Sequence, residues 1–277
     1  MRTKTLLIAA ALAAGILTSS AQTYSQNIVG YVNTVLPGGA LTLIDNPLLG
    51  PNGTNGATQV LTGLVGGEVL YVWNNLGYYQ YVFAGVGVGT GLGYASDWYD
   101  LNPGTGAAIP GTVYDSVDLV YWTPPPQIPQ GKGVYVQNPG STLTNTFVGT
   151  VILENTNTPV ALPGGGLTLV GSTVPVGGNL ESNYFNMPFI GGEVVYIWHN
   201  TGYYQYVFAG AGVGTGLGFP SDYYDLNPGT GAAIPGTVYD SVDLVYWTPP
   251  LNVSVGQGFF VQNPGSTLQW TQNLIVQ

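Results

Sequence analysis

Past residue 21 the apolar residues fall in short runs rich in β-branched and aromatic side chains, broken by Gly, Pro and Asn. No stretch sustains the 3.6-residue spacing of a helix, so the pattern predicts strands. Glu68–Trp73 is expected as a central strand because it is apolar on both faces. Asn74-Asn75-Leu76-Gly77 then forms a turn and Tyr78–Phe83 returns, making a hairpin. Thr112–Trp122, Val134–Gln137 and Thr142–Leu153 are read as further strands, the second closed by an Asn138-Pro139-Gly140 turn. Asn27–Val35 and Leu268–Val276 are read as the terminal strands. Short strands with frequent turn signals predict an all-β fold of sandwich or barrel type.

The strongest signal is a duplication. Tyr99–Pro125 recurs without change at Tyr224–Pro250, and EVLYVWNNLGYYQYVFAG from Glu68 returns as EVVYIWHNTGYYQYVFAG from Glu193. GKGVYVQNPGSTL from Gly131 answers GQGFFVQNPGSTL from Gly256, and LPGGALTLI from Leu36 answers LPGGGLTLV from Leu162. This predicts two tandem homologous β units, residues 22–153 and 154–277, with the polar stretch Glu154–Pro159 as linker. So long a period points to two domains rather than a solenoid.

The first residues read as a signal peptide spanning residues 1–21. Arg2 and Lys4 give the positive start, Thr5–Leu17 the apolar stretch, and Ser19-Ser20-Ala21 the small residues before cleavage. The apolar stretch is short for a membrane span. The expected location is therefore extracellular or at the outer cell surface. The whole chain carries a formal charge of −10, and loss of the leader would leave Lys132 alone against 13 Asp and Glu. Such a chain cannot neutralise phosphates, which excludes nucleic acid as a partner and disfavours anionic membranes. There is no Cys, so the fold relies on its core rather than on disulfides.

Candidate chemistry is sparse. Gly85–Gly93 and Gly210–Gly218 alternate glycine with other residues. All these glycines have one parity, unlike a dinucleotide loop. The run reads either as an extended stretch with one bare face or as a glycine loop. Asp97, Asp100 and Asn102, repeated as Asp222, Asp225 and Asn227, supply clustered oxygens suited to calcium, the only cofactor the sequence suggests. Their spacing lacks the D-x-D-x-D rhythm, and turn capping explains the same residues. Asp115 and Asp118 would face opposite sides of a continuous strand. Tyr78, Tyr79, Trp98, Tyr203, Tyr204 and Tyr223 are the candidate ligand-binding rings, able to stack on sugars if exposed. Trp73 and Trp122 are read as core. With no Cys, and His199 as the only His, catalysis by a triad or a His-rich metal site has no support, and no catalytic residue is assigned.

Ser25–Asn33 (SQNIVGYVN), Asn46-Pro47-Leu48 and Gly258–Pro264 (GFFVQNP) resemble a family of uncharacterised secreted β-rich proteins of verrucomicrobial-type bacteria. That resemblance implies export and a β fold, and no activity. The expectation is a secreted, non-enzymatic structural or cell-surface protein: a sheath, matrix or filament subunit assembling head to tail. The alternative is a bivalent protein binding extracellular polysaccharide.

Overall fold

The computed structural model describes residues 28–50, 53–74, 77–103, 107–152, 159–199, 202–228, 232–272 and 274. The leader, most of the linker and the ends of some expected turns and strands lie outside them. The protein is all-β, with antiparallel pairing throughout. A ribbon joins β1 (Ile28–Leu36) to β9 (Leu143–Val151), in register from Ile28↔Val151 to Leu36↔Leu143. Beside it lies a seven-stranded sheet of β2 (Ala40–Asp45), β8 (Gly133–Asn138), β3 (Val69–Trp73), β4 (Tyr78–Phe83), β5 (Trp98–Asp100), β7 (Val120–Trp122) and β6 (Val113–Asp115), in that order.

The second half repeats this arrangement. β10 (Val160–Leu162) pairs with β20 (Leu268–Trp270). A second seven-stranded sheet runs β11 (Gly166–Val170), β19 (Phe259–Asn263), β13 (Val194–His199), β14 (Gly202–Phe208), β15 (Tyr223–Asp225), β17 (Val245–Trp247), β16 (Val238–Asp240). Each sheet is open rather than closed into a barrel. The second half adds a short ribbon of β12 (Gly178–Asn179) and β18 (Asn252–Val253); the first has only a bridge, Gly56↔Gln127, followed by the single turn α1 (Ala57–Val60).

Strand alternation explains how each sheet is apolar on both faces. On β3, Leu70 and Val72 enter the first core with Ile44, Val134, Val136 and Phe147, whereas Tyr71 and Trp73 point the other way. A matching core holds Val195, Ile197, Val261, Phe259 and Trp270. The QNPG motif ties sheet to ribbon. Asn138 Nδ2 donates to Leu36 O and Ser141 O at 2.8 and 2.7 Å, and Asn263 does the same to Leu162 O and Ser266 O at 2.9 and 2.7 Å. These amides are buried, so the bonds fix where ribbon meets sheet.

Two expectations need correcting. Thr112–Trp122 is not one strand. It is a hairpin of β6 and β7 turning at Ser116–Leu119, where Leu119 adopts a left-handed φ of 58°; Leu244 does likewise. Asp115 closes that turn by accepting from Val117 N at 2.8 Å, so opposed carboxylates on a continuous strand do not arise. The glycine run is not extended either. Val88–Gly91 (α2) and Val213–Gly216 (α3) are single helical turns. One bare position is still used for close approach: a Cβ on Gly89 would lie 2.0 Å from Ser96 O and 2.6 Å from the Trp122 ring.

Candidate functional site

The second faces of the two sheets meet each other. Leu43, Tyr135, Leu169 and Phe260 form a buried cluster shared by both halves, with Leu41, Tyr71, Trp73 and Tyr78 packed around it from the first half and Leu167, Tyr196, Trp198 and Tyr203 from the second. The contacts are reciprocal. Trp73 Nε1 donates to Leu167 O at 3.0 Å, and Trp198 Nε1 donates to Leu41 O at 2.9 Å. Gly171 N donates to Gly131 O at 2.9 Å, and Asp45 N donates to Gly256 O at 3.0 Å. The isolated bridges Lys132↔Val170 and Ile44↔Gln257 are the same pair seen from either side. Gly131 and Gly256 both take φ of 74°, with a side chain of the other half lying against each. A β-carbon there would meet both a forbidden backbone region and a neighbour.

This joint is isologous: residue i of one half meets residue j of the other, and the equivalent of j meets the equivalent of i. An isologous contact closes on itself. It leaves no unused copy of that face for a neighbouring chain, so head-to-tail growth cannot repeat this joint. The expected terminal donors are each paired along one edge, β1 with β9 and Leu268–Trp270 with β10, in two-stranded ribbons. The rest of the predicted last strand, Thr271–Val276, carries no strand among its described residues.

Besides Ile44, which stands where the second half has Val170, the joint breaks its symmetry at four positions. Asp45 stands where the second half has Gly171, Lys132 where it has Gln257, Tyr135 where it has Phe260, and Asn74 where it has His199. A Cβ on Gly171 would lie 2.1 Å from Asp45 Cβ, so the carboxyl occupies the space the glycine leaves. Asp45 is fully buried, with no hydrogen-bond partner on either oxygen. Burial holds its carboxyl well above the usual range, offset only in part by its own backbone N–H. The Tyr135 hydroxyl contacts that of Tyr203. Burial raises the Tyr203 hydroxyl well above a free phenol, and Tyr78 beside it adds to the effect.

The candidate ligand rings are dispersed rather than gathered. Tyr78 and Tyr203 lie in the joint, against Trp73 and Trp198 at 5.0 and 5.1 Å between ring centroids. Tyr79 and Tyr204 pack half-buried against the separate cores, Tyr204 stacked on His199. Trp98 and Tyr223 are core rings with no open face, Trp98 donating to Thr58 Oγ1 at 2.9 Å; they are not stacking platforms. Trp122 is core as read, but Trp73 belongs to the joint.

The acidic loops are capping devices. Asp97 accepts from Gly87 N at 2.8 Å on one oxygen and from Thr90 N at 3.3 Å on the other; Asp222 accepts from Gly212 N and Thr215 N in the same way. Asp100 and Asp225 each accept from the backbone N–H two residues on, at Asn102 and Asn227, both at 3.0 Å. Asn102 and Asn227 turn their amides to Gln80 and Gln205. Among the described residues no three His, Cys, Asp or Glu come together as a metal would need, and no helix is long and apolar enough to cross a membrane.

Sequence reasoning missed the cleft beside the joint. About 390 Å³ in volume, it runs between the β3–β4 hairpin, the Gln130-Gly131-Lys132 segment and β11, with Lys132 in its wall. The signal was present as the one basic residue of the repeats, standing where the other copy has Gln257. Comparison with protein-family models, curated proteins and solved structures finds no match.

Proposed function

We propose that the chain is an exported, non-enzymatic structural protein that assembles through the outer hairpins of its two sheets. The observation that carries this reading is the pair of hairpins β6–β7 and β16–β17. They are identical in sequence, and their outer strands β6 and β16 are the sheet edges farthest in order from the joint. Both are exposed and apolar. Val117 and Val242 are 84% and 86% exposed, Leu119 and Leu244 both 70%, and Val113, Tyr114, Val238 and Tyr239 are open beside them. Edge strands are ordinarily blunted by lysine, and these have none. A subunit closed at its centre and carrying the same adhesive edge twice grows by edge-to-edge pairing, each contact isologous, into an open filament. In this reading residues 22–153 and 154–277 are the two arms of one subunit, and residues 1–21 are removed on export.

The acidic residues oppose assembly, so filaments should form more readily as salt screens the repulsion. Negative-stain microscopy and sedimentation of the protein lacking residues 1–21, across a salt series, test the proposal. Filaments are expected, and Val117→Lys with Val242→Lys should abolish them without unfolding the protein. A parent protein that stays monomeric at every salt and protein concentration would refute it.

A further inference from the structure

Lys132 is the only basic residue beyond position 4, in a chain with 13 acids. A half-buried amine in such a chain has abundant opportunity for an acidic partner. Yet none of the described residues forms an ion pair with it, and burial alone accounts for its amine lying below the ordinary lysine value. An unpaired, partly desolvated cation is costly unless something compensates it.

The amine stands in a cleft suited to a small ligand. The half-buried rings of Trp73 and Tyr79 line it, with Thr168 and Gln130 as polar neighbours and the buried Leu169 and Val170 beneath. The Gln130 amide is anchored by donation to Pro47 O and Thr173 O at 3.3 and 2.6 Å. Trp73 is held by its bond to Leu167 O. The walls are thus positioned before any ligand arrives. A mostly apolar cavity of a few hundred Å³ with a few placed polar groups is the usual form of a small-molecule site. One cation admits one anionic group, and a carboxylate accepts from an ammonium in a charge-assisted bond. Ring surface suits the C–H faces of a pyranose, and Thr168 suits its hydroxyls.

We propose that the cleft around Lys132 binds an acidic saccharide, holding a uronate carboxylate on the Lys132 amine with the sugar ring against the half-buried rings of Trp73 and Tyr79. The matching position across the joint holds Gln257, so the chain carries one such site and not two. This is independent of filament formation, because the cleft lies at the joint and the assembling hairpins at the sheet edges.

The test is titration of the protein lacking residues 1–21 with galacturonate, galactose and benzoate, followed by tryptophan fluorescence and calorimetry. Galacturonate should bind at one site per chain, about ten-fold or more tighter than either galactose or benzoate. Lys132→Gln, which installs the residue the second half already accommodates, should weaken galacturonate by a similar factor and leave the melting temperature unchanged. If that variant loses stability, Lys132→Met, which keeps the aliphatic stem, serves in its place. No galacturonate binding, equal binding of galactose or benzoate, or undiminished binding by a folded Lys132 variant would each overturn the proposal.

Discussion

The two ends of the molecule and its centre obey different rules. At the outer hairpins the halves are identical residue for residue, from Tyr99–Pro125 to Tyr224–Pro250. At the joint they differ at Asp45/Gly171, Lys132/Gln257, Tyr135/Phe260 and Asn74/His199. Geometry accounts for the clearest of these. Near a two-fold axis a residue meets its own equivalent, and two side chains cannot share one space. Asp45 projects into the position where Gly171 has only hydrogen, so a symmetric pair of aspartates would collide there. The duplication could keep its ends equal only because it let its centre diverge.

That contrast can be broken or sharpened by paired substitutions. The largest effect is expected at the reciprocal tryptophans. Trp73→Ala and Trp198→Ala each remove packing at the shared cluster and orphan a carbonyl, Leu167 O or Leu41 O, at a cost of about 3 kcal/mol each in denaturant unfolding. The two losses should not add in the double variant, because both rings support one joint.

Next come the glycines under the outer hairpins. Gly89→Ala and Gly214→Ala would each place a Cβ 2.0 Å from a carbonyl oxygen, at Ser96 and Ser221. Each should destabilise by roughly 1–3 kcal/mol, and by similar amounts, since the nearest contacts, a serine carbonyl and a tryptophan ring, are the same in both halves. A marked difference would show that the Tyr94/Phe219 exchange beside the tryptophan controls how the site yields.

Asp45 should give the joint a pH signature that begins in the acid range, where its buried tyrosines do not titrate. Its folded-state carboxyl lies well above the unfolded value of about 3.9. The folded protein therefore holds a proton that the unfolded chain releases. Stability should fall as pH rises above the unfolded value, by up to about 1.4 kcal/mol per pH unit, and level off above the folded value. Asp45→Asn should remove this slope and be the more stable protein at neutral pH, measured as melting temperature across a pH series.

The smallest expected effect is at the hairpin tips. Leu119 and Leu244 take a left-handed backbone that a branched apolar residue disfavours. Leu119→Asn and Leu244→Asn should each stabilise by about 0.5–1 kcal/mol, equally at both ends, since Asn tolerates that region. The same changes remove apolar surface from the proposed assembly edge, so filament yield should drop while stability rises.

Much of the fold was legible because its cause is local. Alternation in Glu68–Phe83 places a hairpin where β3 and β4 stand, and the repeated QNPG marks the turns that follow β8 and β19. The break inside Thr112–Trp122 was not legible, since Asp-Ser-Val-Asp-Leu lacks the glycine that usually signals a left-handed tip. The glycine runs stayed open between an extended stretch and a loop because the Asp97 and Asp222 carboxylates that cap them come ten residues after Gly87 and Gly212. Least visible was the joint. The double apolar character of β3 showed that both faces are covered, but nothing local says that a second copy of the same strand supplies the cover. The rings chosen as exposed were therefore divided between joint and core, and the site that carries the lone cation went unnoticed.

The direct measurement of the joint is an exchange across its axis. Unfolding free energies would be compared for the parent, Gly171→Asp, Asp45→Gly and the protein carrying both changes. With its Cβ placed 2.1 Å from Asp45 Cβ, the new side chain in Gly171→Asp should cost several kcal/mol, more than about 3. Asp45→Gly leaves only a small cavity and relieves an unpaired buried carboxyl, so its cost should be slight. The account predicts that the double exchange recovers most of what Gly171→Asp loses, because one side chain again fills one space. If Gly171→Asp is as stable as the parent, or if removing Asp45 restores nothing, the two halves do not meet at this point and the isologous joint is contradicted.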